Sequence, residues 1–391
     1  MKKLAIVTTH PIQYNAPLFK RIAARGETDV HVFYTWGQAK DKVYDPGFGK
    51  EREWDIPLLE GYRYSFVENV ASRPGSHHFN GIINPSLIHE IEAYDPDALF
   101  VFGWSFKSHL QVLRHFHGKK PVLFRGDSTL LDEKSGFSFK KILRTIFLRR
   151  VYRHVDYALY AGEANKAYFL RNGLKEDQLI FAPHAIDNSR FFDSDGKYAT
   201  AAKKWRTSLA IGEEDIVFLF AGKLEAKKHP DLLLRAFMSL PDTHARLIII
   251  GDGELGPALK ELARGDQRVV FLPFQNQSVM PVVYRLGAIF VLPSRGPGET
   301  WGLAVNEAMA CGRAVVVSDK CGCARDLVKP GVNGYVFQAG DVAALTNILN
   351  EILMNRTFIN EMGRAGATLI RDWRFELSAD ALTALLTRIK S

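Results

Sequence analysis

The chain has few cysteines and no long apolar run. Cys311, Cys321 and Cys323 are the only cysteines in 391 residues, which argues against a disulfide framework and favours a reducing compartment. No uninterrupted apolar stretch reaches the roughly 18 to 20 residues that a membrane-spanning helix needs. The first apolar run ends at Thr8-Thr9, too early for the core of a signal peptide, and reads better as a buried strand. The sequence therefore predicts a cytoplasmic protein.

Two cofactor motifs are incomplete. Cys321 and Cys323 stand closer together than zinc ligands usually do, and no histidine lies near them in the sequence, so a metal site is not expected. Residues 251–256 have the spacing of a dinucleotide fingerprint. That fingerprint also needs an acidic residue about 20 positions further on, and residues 269–277 contain none. We therefore expect no metal and no other cofactor.

The composition is that of a soluble globular protein, with 47% hydrophobic and 24% charged residues. Its length exceeds what one hydrophobic core usually serves, so two domains are expected. The formal net charge of +8 favours anionic partners, which include sugar nucleotides, anionic lipid headgroups and nucleic acids. Charge alone does not choose among them.

Short apolar runs alternate with helical patterns in two consecutive sets. The first set lies at 4–9, 30–36, 98–104, 121–127, 157–162 and 179–183, and the second at 216–222, 245–253, 268–274, 288–294, 314–319 and 334–340. Strands separated by helices form parallel sheets that are covered on both faces. We predict an α/β protein with two doubly wound, Rossmann-like domains that face an interdomain cleft, where ligands bind beyond the carboxyl ends of the strands.

The segment 293–319 carries the most chemical information. A strand ends at Pro293-Ser294, a Gly- and Pro-rich loop follows, and a helix is predicted from near Leu303 to Gly312. Glu299 then lies on the loop and Glu307 on the helix. The amides of 301–303 would lie at the helix N-terminus, where partial positive charge and unpaired donors suit a phosphate. An ordinary loop with two solvated glutamates is the alternative interpretation.

A second segment, 220–237, places two lysines after a predicted strand. Lys223 follows the strand directly, and Lys228 precedes a helix. Two lysines in these positions would neutralise a diphosphate and stabilise the negative charge that develops as it leaves. A solvated basic turn is the alternative.

These two segments resemble family 4 of the retaining glycosyltransferases, of the two-domain GT-B type, and in particular its bacterial cell-surface glycan enzymes. The family has a Gly-Arg-Leu segment followed by Lys-Gly, and then an E-x7-E element. This chain shows Gly222-Lys223-Leu224 with Lys228-His229, and Glu299-Thr300-Trp301-Gly302-Leu303 with Glu307-Ala308-Met309-Ala310-Cys311-Gly312. The resemblance covers about 187–340 and includes Ala185-Ile186-Asp187, where the family usually has Gly-Val-Asp.

The resemblance implies a role for each matched position. Lys223 and Lys228 would hold the donor's diphosphate, Glu307 the ribose hydroxyls and Glu299 the donor sugar. The donor site as a whole would comprise Gly222, Lys223, Lys228, Glu299, Thr300, Trp301, Gly302, Leu303 and Glu307, with Lys223, Lys228 and Glu299 acting in catalysis. Lys223 replaces the family's arginine and loses its planar fork. His229 replaces a glycine, so the donor preference of relatives does not transfer. Residues 251–253 resemble the family's Gly-Asp-Gly turn near the donor.

The amino-terminal half offers two further candidates. The loop that holds His10 resembles the HPIQY opening of a bacterial subgroup, in place of the Gly-Gly loop that many relatives have. Asp127 ends the Arg125-Gly126-Asp127 segment after a later strand. Both side chains are expected where an acceptor would bind, as catalytic candidates. A structural histidine at a strand end is the alternative for His10.

The resulting hypothesis divides the chain into an acceptor domain at 1–187, a linker at 188–200, a donor domain at 201–372 and a C-terminal helix at 373–391 that packs back on the first domain. The resemblance implies transfer of a hexosyl unit from a nucleotide sugar, a UDP-sugar, to a glycan or lipid-linked hydroxyl acceptor, without a metal. The departing diphosphate would help to deprotonate the acceptor. A sugar-nucleotide epimerase and a DNA-directed glucosyltransferase or nucleic-acid-binding protein are the alternatives, although no nucleic-acid recognition motif is present.

The segment 137–154 has an apolar stripe with basic residues around it. Such a helix can lie on an anionic membrane, which would place the protein at the inner face of the membrane. Arg150 and Arg153 fall within the stripe and interrupt it. We therefore expect a helix packed on the core with a basic outer face, and keep the anionic membrane surface as the alternative.

Overall fold

The computed structural model describes residues 1–39, 43–45, 50–52, 54–133, 136 and 138–389. The chain forms two compact units. The first unit comprises Met1–Val43, Ile56–His184 and Phe375–Ser391, and the second comprises Tyr44–Asp55 and Ala185–Arg374. Each unit is built around its own parallel sheet.

The strands, in chain order, are β1 (Lys2–Thr8), β2 (Thr28–Tyr34), β3 (Val43–Asp45), β4 (Lys50–Arg52), β5 (Arg63–Phe66), β6 (Ala98–Phe102), β7 (Val122–Arg125), β8 (Tyr157–Tyr160), β9 (Leu179–Phe181), β10 (Ile216–Ala221), β11 (Ala245–Ile250), β12 (Val269–Leu272), β13 (Ile289–Leu292), β14 (Ala314–Ser318) and β15 (Gly334–Phe337).

The α-helices, in chain order, are α1 (Ala16–Ala24), α2 (Leu87–Tyr94), α3 (Lys107–Phe116), α4 (Phe139–Tyr152), α5 (Glu163–Arg171), α6 (Asn188–Phe191), α7 (Lys197–Ser208), α8 (Pro230–Met238), α9 (Gly256–Leu262), α10 (Met280–Leu286), α11 (Leu303–Ala310), α12 (Ala324–Leu327), α13 (Val342–Met354), α14 (Phe358–Ile370) and α15 (Phe375–Arg388). None of the described helices is both long and apolar enough to cross a membrane.

Both large sheets are doubly wound. The first has the order β5-β2-β1-β6-β7-β8-β9 and the second β12-β11-β10-β13-β14-β15, with parallel neighbours throughout. The chain reverses its direction of winding between β1 and β6 in the first sheet and between β10 and β13 in the second. In such sheets ligands bind at the carboxyl ends of the strands that flank this switch point. For the second unit, these are the loops that follow β10 and β13.

All twelve strands predicted from apolar runs are present, each with nearly all its residues buried or half-buried. Strand β5 was not predicted, because its sequence Arg-Tyr-Ser-Phe has no apolar run and its first two residues are exposed at the sheet edge. The range predicted as a linker, 188–200, contains α6 and the first turn of α7.

Helix α4 corrects one prediction. The stripe formed by Phe139, Ile142, Leu143, Ile146 and Phe147 is exposed to solvent rather than packed on the core. Only residues in the C-terminal part of the helix, Leu148, Val151 and Tyr152, are buried. The stripe therefore lies on the N-terminal part of α4, which does not reach the core. Residue 137, at the start of the predicted segment, lies outside the described residues.

The C-terminal helix α15 packs on α1 and β9 of the first unit. Its apolar face, which includes Leu382, is buried. Arg25 Nη2 donates to Asp380 Oδ1 at 2.6 Å, and Ser378 Oγ donates to the carbonyl of Pro183 at 3.2 Å. The last helix of the chain thus completes the core of the unit in which the chain begins.

Replacing Leu382 with alanine should destabilise the first unit selectively. Loss of a fully buried leucine side chain costs about 2 to 5 kcal/mol, and the exposed Thr387→Ala on the same helix should cost less than about 0.5 kcal/mol. Hydrogen exchange measured by mass spectrometry should show faster exchange in α1 and β9 of the leucine variant. Loss of protection in β10 and β11 instead would contradict this packing.

Candidate functional site

Three loops meet at the carboxyl edge of the second sheet. They follow β10, β13 and β14. The amide of Arg295 donates to the carbonyl of Lys227 at 2.9 Å, and the amide of Gly322 donates to the carbonyl of Glu299 at 3.1 Å. A Cβ atom at Gly322 would lie 1.8 Å from the carbonyl oxygen of Thr300, so only glycine allows this approach. Backbone contacts therefore hold the three loops together.

A buried ion pair lies where these loops meet. Lys228 Nζ is 2.5 Å from Glu299 Oε2, and the two side chains are 17% and 7% exposed. Ser294 Oγ donates to the same carboxylate oxygen at 2.9 Å. The site thus holds a charged lysine and a charged carboxylate away from bulk water.

The pair controls the protonation of both groups. Burial opposes ionisation of Glu299, but the charge and hydrogen bond of Lys228, together with the Ser294 hydroxyl, outweigh it and lower its pKa below the ordinary 4.5. Burial also disfavours the charged form of Lys228, yet Glu299 raises its pKa above the ordinary value. Each charge therefore stabilises the other at neutral pH.

Lys223 stands on the loop after β10, beside a glycine turn. The amide of Leu224 donates to the carbonyl of Asp252 at 2.9 Å. Gly251 has a φ of +144°, and a Cβ atom there would lie 1.9 Å from the carbonyl oxygen of Gly222. Both constraints require glycine. Residues 251–253 therefore support the Gly222-Lys223-Leu224 loop.

Helix α11 begins directly after the loop that carries Glu299. Gly302, with a φ of +98°, precedes the first helical residue, Leu303. Glu307 lies one turn further and is 3% exposed. Its Oε2 accepts a hydrogen bond of 2.6 Å from the Tyr284 hydroxyl. The two glutamates thus have different partners within the chain.

Trp301 contributes its side chain to the core rather than to the surface of the site. It is 4% exposed, its indole N–H donates to Asn306 Oδ1 at 2.9 Å, and its ring centroid lies 5.2 Å from that of Trp373. The backbone of Trp301 stays on the loop, where its carbonyl accepts a hydrogen bond of 3.0 Å from the amide of Cys323. The neighbouring Thr300 is half-buried.

His10 lies in the first unit, after β1. Its Nδ1 is 2.9 Å from Thr9 Oγ1, and its ring meets that of Trp36 edge-on with centroids 5.2 Å apart. Burial lowers the pKa of His10 to about 4. The imidazole is therefore neutral at pH 7 and able to exchange hydrogen bonds without carrying charge.

Asp127, also in the first unit, pairs with a histidine that the sequence analysis did not single out. His184 Nε2 is 2.9 Å from Asp127 Oδ1, and the carboxylate remains 50% exposed. Arg125 Nη2 lies 3.2 Å from His184 Nδ1. A guanidinium only donates, so Nδ1 of His184 faces a donor while Nε2 faces the carboxylate of Asp127.

This arrangement keeps Asp127 ionised. Burial raises its pKa, but His184 and Arg125 outweigh burial and lower it to about 2. Asn165 holds the loop from both sides, because its Nδ2 donates to the carbonyls of Gly126 at 2.8 Å and Ser128 at 2.9 Å. The result is a half-exposed anion in a fixed position beyond the carboxyl end of β7.

Sequence reasoning missed three side chains that position these groups: Ser294, Tyr284 and His184. Ser294 had a signal, since it follows a predicted strand five residues before Glu299. His184 also lies just beyond a strand, β9. Tyr284 had no such signal, because a tyrosine inside a helix is typical of the hydrophobic core.

Among the described residues, no group of three or more His, Cys, Asp or Glu side chains is placed to hold a metal ion.

Comparisons with known proteins found a family model that matches most of the second unit. Residues 201–368 match the family model for glycosyl transferases, group 1. The chain is 30% identical over 247 residues to a D-inositol 3-phosphate glycosyltransferase of Geodermatophilus obscurus, covering 59% of this chain and 52% of that protein. It is 28% identical to the GDP-mannose-dependent alpha-(1-6)-phosphatidylinositol monomannoside mannosyltransferase of Mycolicibacterium smegmatis, over 64% and 67% of the two chains.

Solved structures establish the fold over the whole chain. The structure of Anabaena Alr3699/HepE in complex with UDP and glucose is similar with a TM-score of 0.73 and 18% identity, covering 100% of both chains. WaaG, a glycosyltransferase involved in lipopolysaccharide biosynthesis, is similar with a TM-score of 0.68 and 15% identity, covering 99% of this chain and 100% of that one. The predicted GT-B fold is confirmed. The chain spans about half the length of the D-inositol 3-phosphate glycosyltransferases that it matches.

Breaking the buried ion pair should destabilise the second unit. Lys228→Met leaves an uncompensated buried carboxylate, which costs about 3 to 5 kcal/mol. Lys227→Met, at a side chain 40% exposed, should cost less than about 0.5 kcal/mol. The double variant Lys228→Met/Glu299→Gln should lose less than the sum of the single losses in urea denaturation. Additive losses would show that the two charges are independent.

The same pair predicts a pH dependence. Because folding lowers the pKa of Glu299 below 4.5, its charge stabilises the fold above that pH, and this contribution disappears as pH falls through the folded-state pKa. The stability difference between the natural chain and Glu299→Gln should therefore be constant near neutral pH and shrink below about 4.5. A difference that grows on acidification would contradict the ion pair.

Removing His184 should raise the pKa of Asp127. His184 contributes more than Arg125 to lowering it, so His184→Ala should shift the Asp127 titration from about 2 toward the ordinary range. Carboxyl carbon NMR of aspartate-labelled protein measures this shift. Asp266, which is paired with Arg268 in the second unit, should titrate unchanged in the same spectra. An unmoved Asp127 titration would exclude the proposed contact.

Proposed function

We propose that the chain transfers a hexosyl unit from a nucleotide sugar, a UDP-sugar, to a hydroxyl acceptor, with retention at the anomeric carbon, in the synthesis of a bacterial cell-surface glycan. The observation that carries the proposal is the buried Lys228–Glu299 pair at the switch point of the second sheet. It lies inside the segment that matches group 1 glycosyl transferases. The UDP bound in a structural neighbour supports the choice of uracil as the nucleotide base of the donor.

The donor's diphosphate would bind between the loops after β10 and β13. Lys223 and Lys228 supply positive charge, and the amides at the start of α11 supply donors that favour an anion. A lysine ammonium has three protons, so Lys228 can keep Glu299 as a partner while it contacts a phosphate. Glu299 then lies beside the bound sugar and Glu307 beside the ribose hydroxyls.

The proposed reaction needs no covalent intermediate between the sugar and the enzyme. The bond between the anomeric carbon and the diphosphate oxygen breaks, and the lysines stabilise the leaving charge. The acceptor oxygen bonds to the same face of the anomeric carbon, and its proton passes to the departing diphosphate. The acceptor is a glycan or lipid-linked hydroxyl, oriented in the first unit by Asp127 and by the neutral His10.

Donor binding tests the proposal through two matched glutamates. Glu307 and Glu351 each accept a hydrogen bond from a tyrosine hydroxyl in the second unit, but only Glu307 belongs to the proposed site. UDP at about 100 times its Kd should stabilise the natural chain by about 2.7 kcal/mol. Glu307→Gln should weaken UDP binding about 10- to 100-fold, and Glu351→Gln should bind UDP like the natural chain.

Two further measurements identify the nucleotide of the donor and the type of reaction. Thermal shifts with UDP, GDP and ADP identify the base, and a larger shift with GDP would replace UDP in the proposal. Proton NMR of the product should show the anomeric configuration of the donor. Inversion of that configuration, or conversion of the donor sugar into its epimer without an acceptor, would overturn retaining transfer.

A further inference from the structure

The first unit carries an exposed apolar surface on helix α4. Of the thirteen exposed large apolar side chains among the described residues, five lie on this helix, and the other eight are scattered over other elements. We call them the α4 stripe; they are between 40% and 67% exposed: Phe139, Ile142, Leu143, Ile146 and Phe147. Their spacing of three and four residues places them along one face of the helix. Contiguous apolar patches of this kind mark interaction sites.

The C-terminal end of α4 packs on the core of the first unit. Tyr152 packs edge-on against Phe124 and Phe169, with ring centroids 5.6 Å away in both cases. The α4 stripe occupies the preceding two turns. Phe147 meets the ring of Trp104 at 5.4 Å, so the surface continues onto the loop after β6.

The charges around the α4 stripe have one sign. Residues 138–155 contain six lysine and arginine side chains and no acidic one. Successive residues of a helix are rotated by about 100° around its axis. Arg150 and Arg153 therefore lie on the same face as the α4 stripe, toward the C-terminal end of the helix. Both are exposed. The outward face of α4 is therefore apolar in its first half and cationic in its second.

We propose that α4 docks the protein on an anionic lipid bilayer. The stripe would enter the boundary between headgroups and acyl chains, to a depth of about 5 to 10 Å, while the arginines contact lipid phosphates. Charge complementarity selects this occupant. A second copy would add the same positive charges to the interface, and residues 138–155 have no carboxylate to pair with them.

Docking through α4 has a consequence for the acceptor, which rests on the proposed function. Trp104 follows β6, and Asp127 follows the neighbouring strand β7. Both therefore lie at the carboxyl edge of the first sheet. A lipid-linked acceptor held in the bilayer would reach Asp127 from the surface on which α4 rests.

Vesicle co-sedimentation tests the docking directly. The natural chain should sediment with vesicles of equal parts phosphatidylglycerol and phosphatidylcholine, and far less with phosphatidylcholine alone. Leu143→Glu/Ile146→Glu should weaken binding at least about tenfold, because two exposed apolar side chains no longer enter the bilayer. Arg150→Ser/Arg153→Ser should reduce both the affinity and its decline with salt. Phe358→Glu, at a residue 53% exposed in the second unit, is the control and should bind normally.

Three outcomes would overturn the proposal. The first is a natural chain that fails to bind the anionic vesicles. The second is a Leu143→Glu/Ile146→Glu variant that binds them as tightly as the natural chain. The third is a natural chain that is a dimer in sedimentation velocity while the Leu143→Glu/Ile146→Glu variant is a monomer. A UDP thermal shift keeps the two proposals separate. A variant that loses vesicle binding, keeps native hydrogen-exchange protection in the first unit and retains the UDP shift supports docking, whereas a natural chain without any UDP shift contradicts the donor and leaves docking intact.

Discussion

The buried contact between Lys228 and Glu299 is the constraint on which the candidate site depends. An ion pair this deeply buried is stable only when its geometry is good and further hydrogen bonds satisfy the carboxylate. Here Ser294 supplies one such bond, and the backbone contacts of Arg295 and Gly322 hold the surrounding loops in register. In the proposed function, the pair would hold the Lys228 ammonium, whose side chain is only 17% exposed, where its attraction for a phosphate is less screened than in water.

The first unit holds its ionisable groups in a different way. Asp127 is half exposed and stays ionised because His184 and Arg125 outweigh its burial, whereas burial alone keeps His10 neutral. A permanent anion and a neutral imidazole offer a hydroxyl substrate two hydrogen-bonding partners of different character. They do not supply a strong general base, which agrees with a mechanism in which the departing diphosphate accepts the proton.

The fold could be predicted from sequence to a large extent because parallel strands buried on both faces appear as continuous apolar runs. Edge strand β5, with two exposed residues in four, leaves no such run. The loop and helix positions of Glu299 and Glu307 followed from the turn and cap residues around them. The exposure of the α4 stripe could not be predicted, since a helical pattern shows which residues share a face but not which part of a helix reaches a core. Tyr284 and His184 act through contacts made by folding, between residues distant in the sequence.

A crystal structure of the chain soaked with UDP tests the central claim most directly. The account predicts density for the two phosphates between the ammonium groups of Lys223 and Lys228 and the amides at the start of α11, with the ribose beside Glu307. Lys228 should stay within reach of Glu299. Phosphates bound elsewhere on the chain, or a pocket closed by the Lys228–Glu299 pair with no density at saturating UDP, would contradict it.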